Sequence, residues 1–464
     1  MLDRRRFLAA SAGFAATGGF AASGGLALPA AAASLFSEPV LAAMRGSINA
    51  GELGVHPAAF DDQSRAFSAM LDKASDGDAA VFLPPGQYNV SNITLPRRVR
   101  LSGVPGATRL VYAGDGHMLA AEGADHLEFT GLLIDGANRW LGDSAQGLID
   151  ARGVATFVID NCRIIGSSRN GLALERASGR IERSEISGAA DAGIWSVEAG
   201  RMQIVGNTVS DCGNGGILVH RWQPAEDGTI VTGNRIERIL ARSGGTGQNG
   251  NGINVFRAGN VIVSGNQISD CAFSAIRSNS GNNIQIGGNT CRRSGETAIY
   301  SEFAFEGAVI ASNIVDGAAN GISVVNFNEG GRLSAVTGNL VRNLSETGPY
   351  PADAPGFGVG ISVEADASVS GNVIENAPLY GINIGWGPFM RNVVATGNVI
   401  RNAGEGIAVS VVEGTGSAVI TDNVIDGALR GAVVGHRWAE AVTGDLSKEG
   451  TELPGLTVER NRVS

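Results

Sequence analysis

The chain has 464 residues, a formal charge of −10 and 68 glycines; only 17% of residues are charged and 6% aromatic. Two lysines, Lys73 and Lys448, stand against a positive charge otherwise carried by arginine. This acidic, turn-rich balance argues against general nucleic-acid binding and against disorder.

The chain opens as an export signal. Asp3-Arg4-Arg5-Arg6-Phe7-Leu8 leads into a weakly apolar Ala/Gly stretch and then Ala31-Ala32-Ala33. It resembles a twin-arginine signal, with Asp3 where Ser or Thr is commoner. Removing residues 1–33 takes away three Arg and one Asp, so the mature chain is two charges more negative than −10. The resemblance implies the twin-arginine export machinery as a partner and a periplasmic or secreted destination. No other segment approaches a membrane span.

Residues 34–80 read as a leader and a capping helix. The leader holds one apolar cluster, Val40, Leu41 and Met44. A helix is expected from Asp61 to Ala74, capped by Asp61 or Asp62, with Phe67, Met70, Leu71 and Ala74 on one face. Then come Leu83-Pro84-Pro85-Gly86, Leu101-Ser102-Gly103-Val104 and Leu132-Leu133-Ile134-Asp135-Gly136.

From there one unit recurs to the end. Its clearest copies are Gly265-Asn266-Gln267-Ile268, Gly371-Asn372-Val373-Ile374 and Gly397-Asn398-Val399-Ile400. Asn also recurs at 207, 234, 289, 313, 339, 423 and 461, with Cys162 and Ser184 in the same slot earlier. A period in the twenties of residues means a solenoid. Each copy holds three short apolar stretches, such as Val394-Ala395-Thr396, Val399-Ile400 and Ile407-Ala408-Val409, too short for helices and alternating with period two. Residues 81–464 are therefore expected to form an all-β solenoid, a right-handed three-sheet parallel β-helix. The Gly-Asn pair is placed at a sharp bend where both types tolerate φ > 0, with the Asn side chains stacked as a ladder. The four cysteines fall at separations that do not suit disulfides and read as small apolar fillers. The insertion His436–Pro454 is the segment available to cover the C-terminal end.

Together, the signal, the LPPG start and the repeated GN-x-[VI] coils resemble a family of twin-arginine-translocated β-helix repeat proteins. More distantly the chain is similar to the pectate-lyase-like superfamily, which includes pectate lyases and alginate C5-epimerases. That resemblance implies a helix plugging the first coil and a substrate groove on one sheet. The activity itself is not implied, because the fold hosts lyases, hydrolases, epimerases and binders.

In each Gly-Ile-x-Val-x strand Ile and Val point inward and the x positions outward. One outward column then runs Leu218, Asn254, Arg277, Tyr300, Ser323, Ser362, Asn383. The other runs His220, Phe256, Asn279, Glu302, Val325, Glu364. The middle coils concentrate groups suited to a sugar: Asn254, Phe256, Asn279 and Glu364 to bind it, and Arg277, Tyr300, Glu302 and His220 as catalytic candidates. Insertions at 242–251, 345–357, 223–228 and 327–332 are placed to wall the same coils.

The expected partner is a polysaccharide or oligosaccharide, most simply one containing uronates. Arg277 would neutralise the carboxylate, with Tyr300 or His220 as base or acid for β-elimination or epimerisation. Hydrolysis is the weaker enzymatic reading, since Glu302 and Glu364 sit two coils apart, roughly 9.6 Å at the strand spacing. No cofactor is implied; Ca²⁺ on groove carboxylates stays open, but the sequence has no metal-ligand cluster. Arg277 with Glu302, on adjacent coils, also reads as an ordinary ion pair. The competing classes are a non-catalytic envelope-glycan binder and a protein-docking scaffold.

Overall fold

The computed structural model describes residues 46–57, 61–448 and 453–464. The export signal and the Val40, Leu41, Met44 cluster lie outside the described residues. Between the first and last turns, the coils run through three parallel ladders in succession. The first ladder has sixteen strands, from Ser47–Asn49 to Leu456–Glu459. The second starts at Gly86–Val90 and the third at Ile93–Thr94. Val373–Ile384 and Val399–Ser410 run unbroken from the second ladder into the third and join them. Ser47–Asn49 pairs with Ala80–Phe82, so the leader supplies an edge strand ahead of residue 81.

The interior is one apolar column. Inward Ile and Val such as Ile253, Val255, Ile299 and Ile382 are fully buried, and bulkier Phe129 and Phe157 fill the earlier coils. Alternation along each strand drives this: a one-residue slip would turn every inward side chain to solvent.

The Asn ladder is continuous. Each ladder amide accepts from the backbone N–H of the Asn one coil earlier, as in Asn207 to Asn234 (2.9 Å) and Asn266 to Asn289 (3.0 Å). Its own Nδ2 donates to a carbonyl, as in Asn289 to Val263 (3.0 Å) and Asn461 to Ile420 (2.9 Å). Ser184 carries the pattern back to Cys162, whose N–H it accepts at 3.0 Å. The left-handed residue is the one before the ladder position, not the Asn: Gly265 at φ 63°, Ser312 at 57°, Asp422 at 56°. The Asn is kept for its amide.

A helix over Ser64–Asp76 covers the N-terminal end and buries Phe67, Met70, Leu71 and Ala74. It begins later than either aspartate, with Gln63 at the N-cap and no side-chain cap bond. The Gln63 N–H instead donates to the Asn89 carbonyl at 2.9 Å, fastening the helix start to the sheet. Asp62 remains useful one residue out, accepting the Ser64 N–H at 2.9 Å.

At the other end Val433–Arg437 turns back into the antiparallel strand Glu440–Asp445, within the insertion expected to cover it. The Asp445 carboxylate accepts the N–H groups of Ala432 (3.1 Å) and Val433 (3.2 Å), donors that the last coil leaves without a next strand. All four cysteines are free and buried; burial pushes the Cys162 thiol up to about 11 and Cys212 and Cys291 to about 12. Among the described residues no helix is long and apolar enough to cross a membrane.

Candidate functional site

The third ladder carries the groove, and both outward columns stack in the expected register. Asn254 pairs with Arg277, Arg277 with Tyr300, Tyr300 with Ser323, Ser323 with Ser362 and Ser362 with Asn383. Beside them His220, Phe256, Asn279 and Glu302 follow one another. Inward Ile and Val anchor each strand, so these side chains are held by a rigid sheet rather than by loops.

Two hollows open along this face. One, of about 400 Å³, is lined by His220, Asn254, Phe256, Arg277, Asn279 and Phe303, with Thr246–Gln248 as its wall. The other, of about 230 Å³, holds Glu296, Tyr300 and Glu364 under Tyr350, Phe357 and Trp386. The insertions 242–251 and 345–357 thus wall the middle coils.

Between the hollows lies an ion cluster that changes the role of three candidates. The Arg277 guanidinium donates through Nε (2.6 Å) and Nη2 (2.8 Å) to Glu302, and through Nη1 to Glu296 at 3.2 Å. Asn279 adds a bond to Glu302 at 3.0 Å, and the Tyr350 hydroxyl donates to Glu296. The three charged side chains are only 11%, 3% and 3% exposed. Burial would by itself lower the Arg277 pKa; Glu302 and Glu296 outweigh it, and the guanidinium stays charged. Gly247 lies directly over it: a Cβ there would sit 1.7 Å from Nη1, and its φ of 138° also disfavours any side chain. Arg277 is therefore engaged on both edges and roofed. It has no free fork for a uronate carboxylate, and Glu302 is its counter-ion rather than a free acid or base.

Tyr300 stacks beneath this guanidinium, 5.0 Å from ring centroid to Cζ, and burial pushes its hydroxyl above the usual tyrosine range. Burial thus disfavours the phenolate form. His220 packs edge-on to Phe256 at 5.7 Å, and burial pulls its pKa down to about 4. It is a neutral imidazole near pH 7, unable to serve as a charged acid there.

Glu364, expected as a binding residue, has the more reactive setting. It is buried at the floor of the second hollow and accepts the Phe327 N–H at 2.6 Å. Burial nonetheless pushes its pKa up to about 7, the range suited to proton transfer at neutral pH.

The column rule missed Glu296 and Tyr350. Glu296 stands in the bend just before Thr297–Glu302, and Tyr350 belongs to an insertion. Nothing periodic marks either, and no sequence signal pointed to them. Among the described residues no group of three His, Cys, Asp or Glu is arranged to hold a metal.

Three stacked parallel ladders around one apolar column, with a walled groove on one of them, define a right-handed parallel β-helix protein. The family model described as the right handed beta helix region matches residues 147–240 and 221–390, and the chain belongs to that family. No curated protein matches it in sequence. Among solved structures it is similar to the N-terminal fragment of bacteriophage phi29 gene product 12, at 16% identity over 85% of this chain and 70% of that one, TM-score 0.47. It is also similar to the A-module of an Azotobacter vinelandii mannuronan C-5 epimerase, at 14% identity over 90% of this chain and 99% of that one, TM-score 0.41. A third is the catalytic unit of an α-1,3-glucanase from Streptomyces thermodiastaticus, at 15% identity over 90% and 69%, TM-score 0.45.

Proposed function

We propose that the chain is an exported glycan-active protein that lays a polysaccharide along the third ladder and acts on it beside Glu364. The carrying observation is Glu364 itself: a buried carboxyl with its pKa raised to about 7, set in a hollow walled by Tyr350, Phe357 and Trp386. Aromatic faces stack on sugar rings, and a carboxyl protonated near neutrality can give its proton to the leaving glycosidic oxygen while water adds at the anomeric carbon and its released proton restores the acid. Uronate lyase or epimerase chemistry is the less suited reading, because it needs a free cation and Arg277 is fully paired. The carboxylates Glu296, Glu302 and Asp353 nearby also disfavour an anionic sugar at this point.

The test is turnover of a panel of neutral and uronate-containing polysaccharides, following new reducing ends and unsaturated uronyl product together. New reducing ends from a neutral polymer are expected, with a loss of roughly 10²–10⁴-fold in Glu364→Gln. Unsaturated product from a uronate polymer would restore the lyase reading; binding without any turnover would make the groove a non-catalytic one.

Export by the twin-arginine route, and kinship with the twin-arginine-translocated β-helix proteins, rest on Arg4 and Arg5 in the opening segment. Arg4→Lys with Arg5→Lys is expected to leave the precursor in the cytoplasm. Unchanged periplasmic accumulation on fractionation would end this assignment.

A further inference from the structure

We propose that the hollow formed by His220, Asn254, Phe256 and Phe303 is a distal subsite that binds an uncharged pyranose residue of the polysaccharide. This rests on the reading of the groove as glycan-binding and names the sugar class it takes.

Two polar atoms at this hollow have no partner among the described residues. Asn254 Oδ1 and His220 Nε2 are both buried and unbonded, although both side chains line the same space. Asn254 is 6% exposed, and its Nδ2 finds only a long contact to the Gln248 carbonyl at 3.5 Å. Buried groups of this kind are normally bonded, so the pair marks where an incoming ligand is recognised. An amide oxygen accepts, and a neutral imidazole nitrogen donates or accepts according to its tautomer. Sugar hydroxyls do both.

The rest of the lining fits the same ligand. The Phe303 ring, 41% exposed, offers apolar surface for the C–H face of a pyranose, and Phe256, covered in part by Arg257 and His220, adds an apolar edge to the same space. The volume of about 400 Å³ falls within the range of small-ligand sites. Among the described residues that line the hollow a carboxylate finds no free cation; Arg257, stacked on Phe256 at 4.7 Å, lines a different hollow and donates through Nη1 to the Trp222 carbonyl. Arg277 is the cation lining the hollow, and its Nε, Nη1 and Nη2 are held by Glu302 and Glu296. His220 is uncharged near neutrality because burial pulls its pKa to about 4.

Position explains what the subsite is for. The strand of Asn254 lies four coils before the strand that leads into Glu364, roughly 19 Å along the axis. A polymer gripped at both points is held across several residues, so binding here orients a long chain while proton transfer occurs elsewhere.

Saturation-transfer NMR on the mature protein tests this, using methyl β-glucopyranoside, methyl β-galactopyranoside, methyl α-mannopyranoside and the methyl glycoside of glucuronic acid. At least one neutral glycoside is expected to bind and the glucuronide is not. Asn254→Ala should abolish the signal, and Phe303→Ala should weaken binding about tenfold. If Asn254→Ala does not fold, the rim variant Phe303→Ala decides. No binding by any neutral glycoside, binding unchanged in the folded variants, or a glucuronide bound as tightly as the neutral sugars would each overturn the subsite. Glycoside binding without any polysaccharide turnover would remove the acid–base reading and leave the subsite standing; turnover without glycoside binding would do the reverse.

Discussion

The triplet His-Arg-Trp occurs twice on the groove ladder, at 220–222 and 436–438, and the two histidines meet different surroundings. His436 Nε2 is 2.7 Å from Glu405, and the ring lies edge-on to Tyr380 at 5.2 Å. Glu405 also takes Arg430 at 3.2 Å, so imidazole, carboxylate and guanidinium close on one another. Among the described residues His220 has no carboxylate partner, and it faces a hollow under residues 246–248. The strand bearing Glu405 runs through from the preceding ladder with no insertion, whereas ten residues, 242–251, arch over the Asn254 coil. Repeats deliver similar side chains to both places. The insertion before a neighbouring strand decides whether they pack together or line a space.

The largest effect expected from this contrast is in stability. Arg277→Ala leaves Glu302 and Glu296 buried without their cation and should cost about 3–5 kcal/mol in urea unfolding at neutral pH. Arg430 is 49% exposed and Glu405 keeps His436, so Arg430→Ala should cost only about 1 kcal/mol or less. Equal losses would mean that the two clusters are not differently buried.

Next is a pH effect confined to the walled region. The Glu364 pKa is raised from 4.5 to about 7 on folding, so the folded state holds a proton that the unfolded state has released. Its contribution is complete below pH 4.5 and lost as pH rises towards 7, by up to about 3 kcal/mol. The stability of the parent minus that of Glu364→Gln should fall across that window. A difference that stays level would place the ordinary carboxylate range at this site.

Smaller again is the contrast between the ladder's interior and its end. Asn289→Ala breaks four hydrogen bonds, two accepted from Asn266 and one each donated to Val263 and Asn313. A loss of about 2–3 kcal/mol is expected. The Asn461 side chain makes three such bonds, two accepted from Asn423 and one donated to Ile420, and is only partly buried, so Asn461→Ala should cost less, about 1 kcal/mol. Calorimetric melting that ranks them the other way would break the account of the ladder.

The strand register was legible because every coil repeats it: placing Ile253, Ile276 and Ile299 inward automatically aligns Asn254, Arg277 and Tyr300. The contacts of those side chains were not legible. Glu296 comes from a bend, Tyr350 from a long insertion, and Gly247 from another, and none obeys the period. The pairing of Arg277 with Glu302 could be read from adjacency, but its burial under Gly247 could not. The helix start was misplaced for a related reason: Asp61 and Asp62 satisfy a local capping rule, while a long-range bond from Gln63 to Asn89 sets the boundary.

The amide ladder has a metric consequence. Because each ladder Asn is tied to the next, coils with 23 or 32 residues between successive Asn positions occupy the same single step along the axis. Chain length within a coil is spent sideways, as wall, and never lengthens the column. The distance from Asn254 to Glu364 is thus counted in whole coils, about 4.8 Å each. Changing a loop would reshape what surrounds the proposed polymer; adding or deleting a coil would alter how much of it is measured out between the two proposed points of contact.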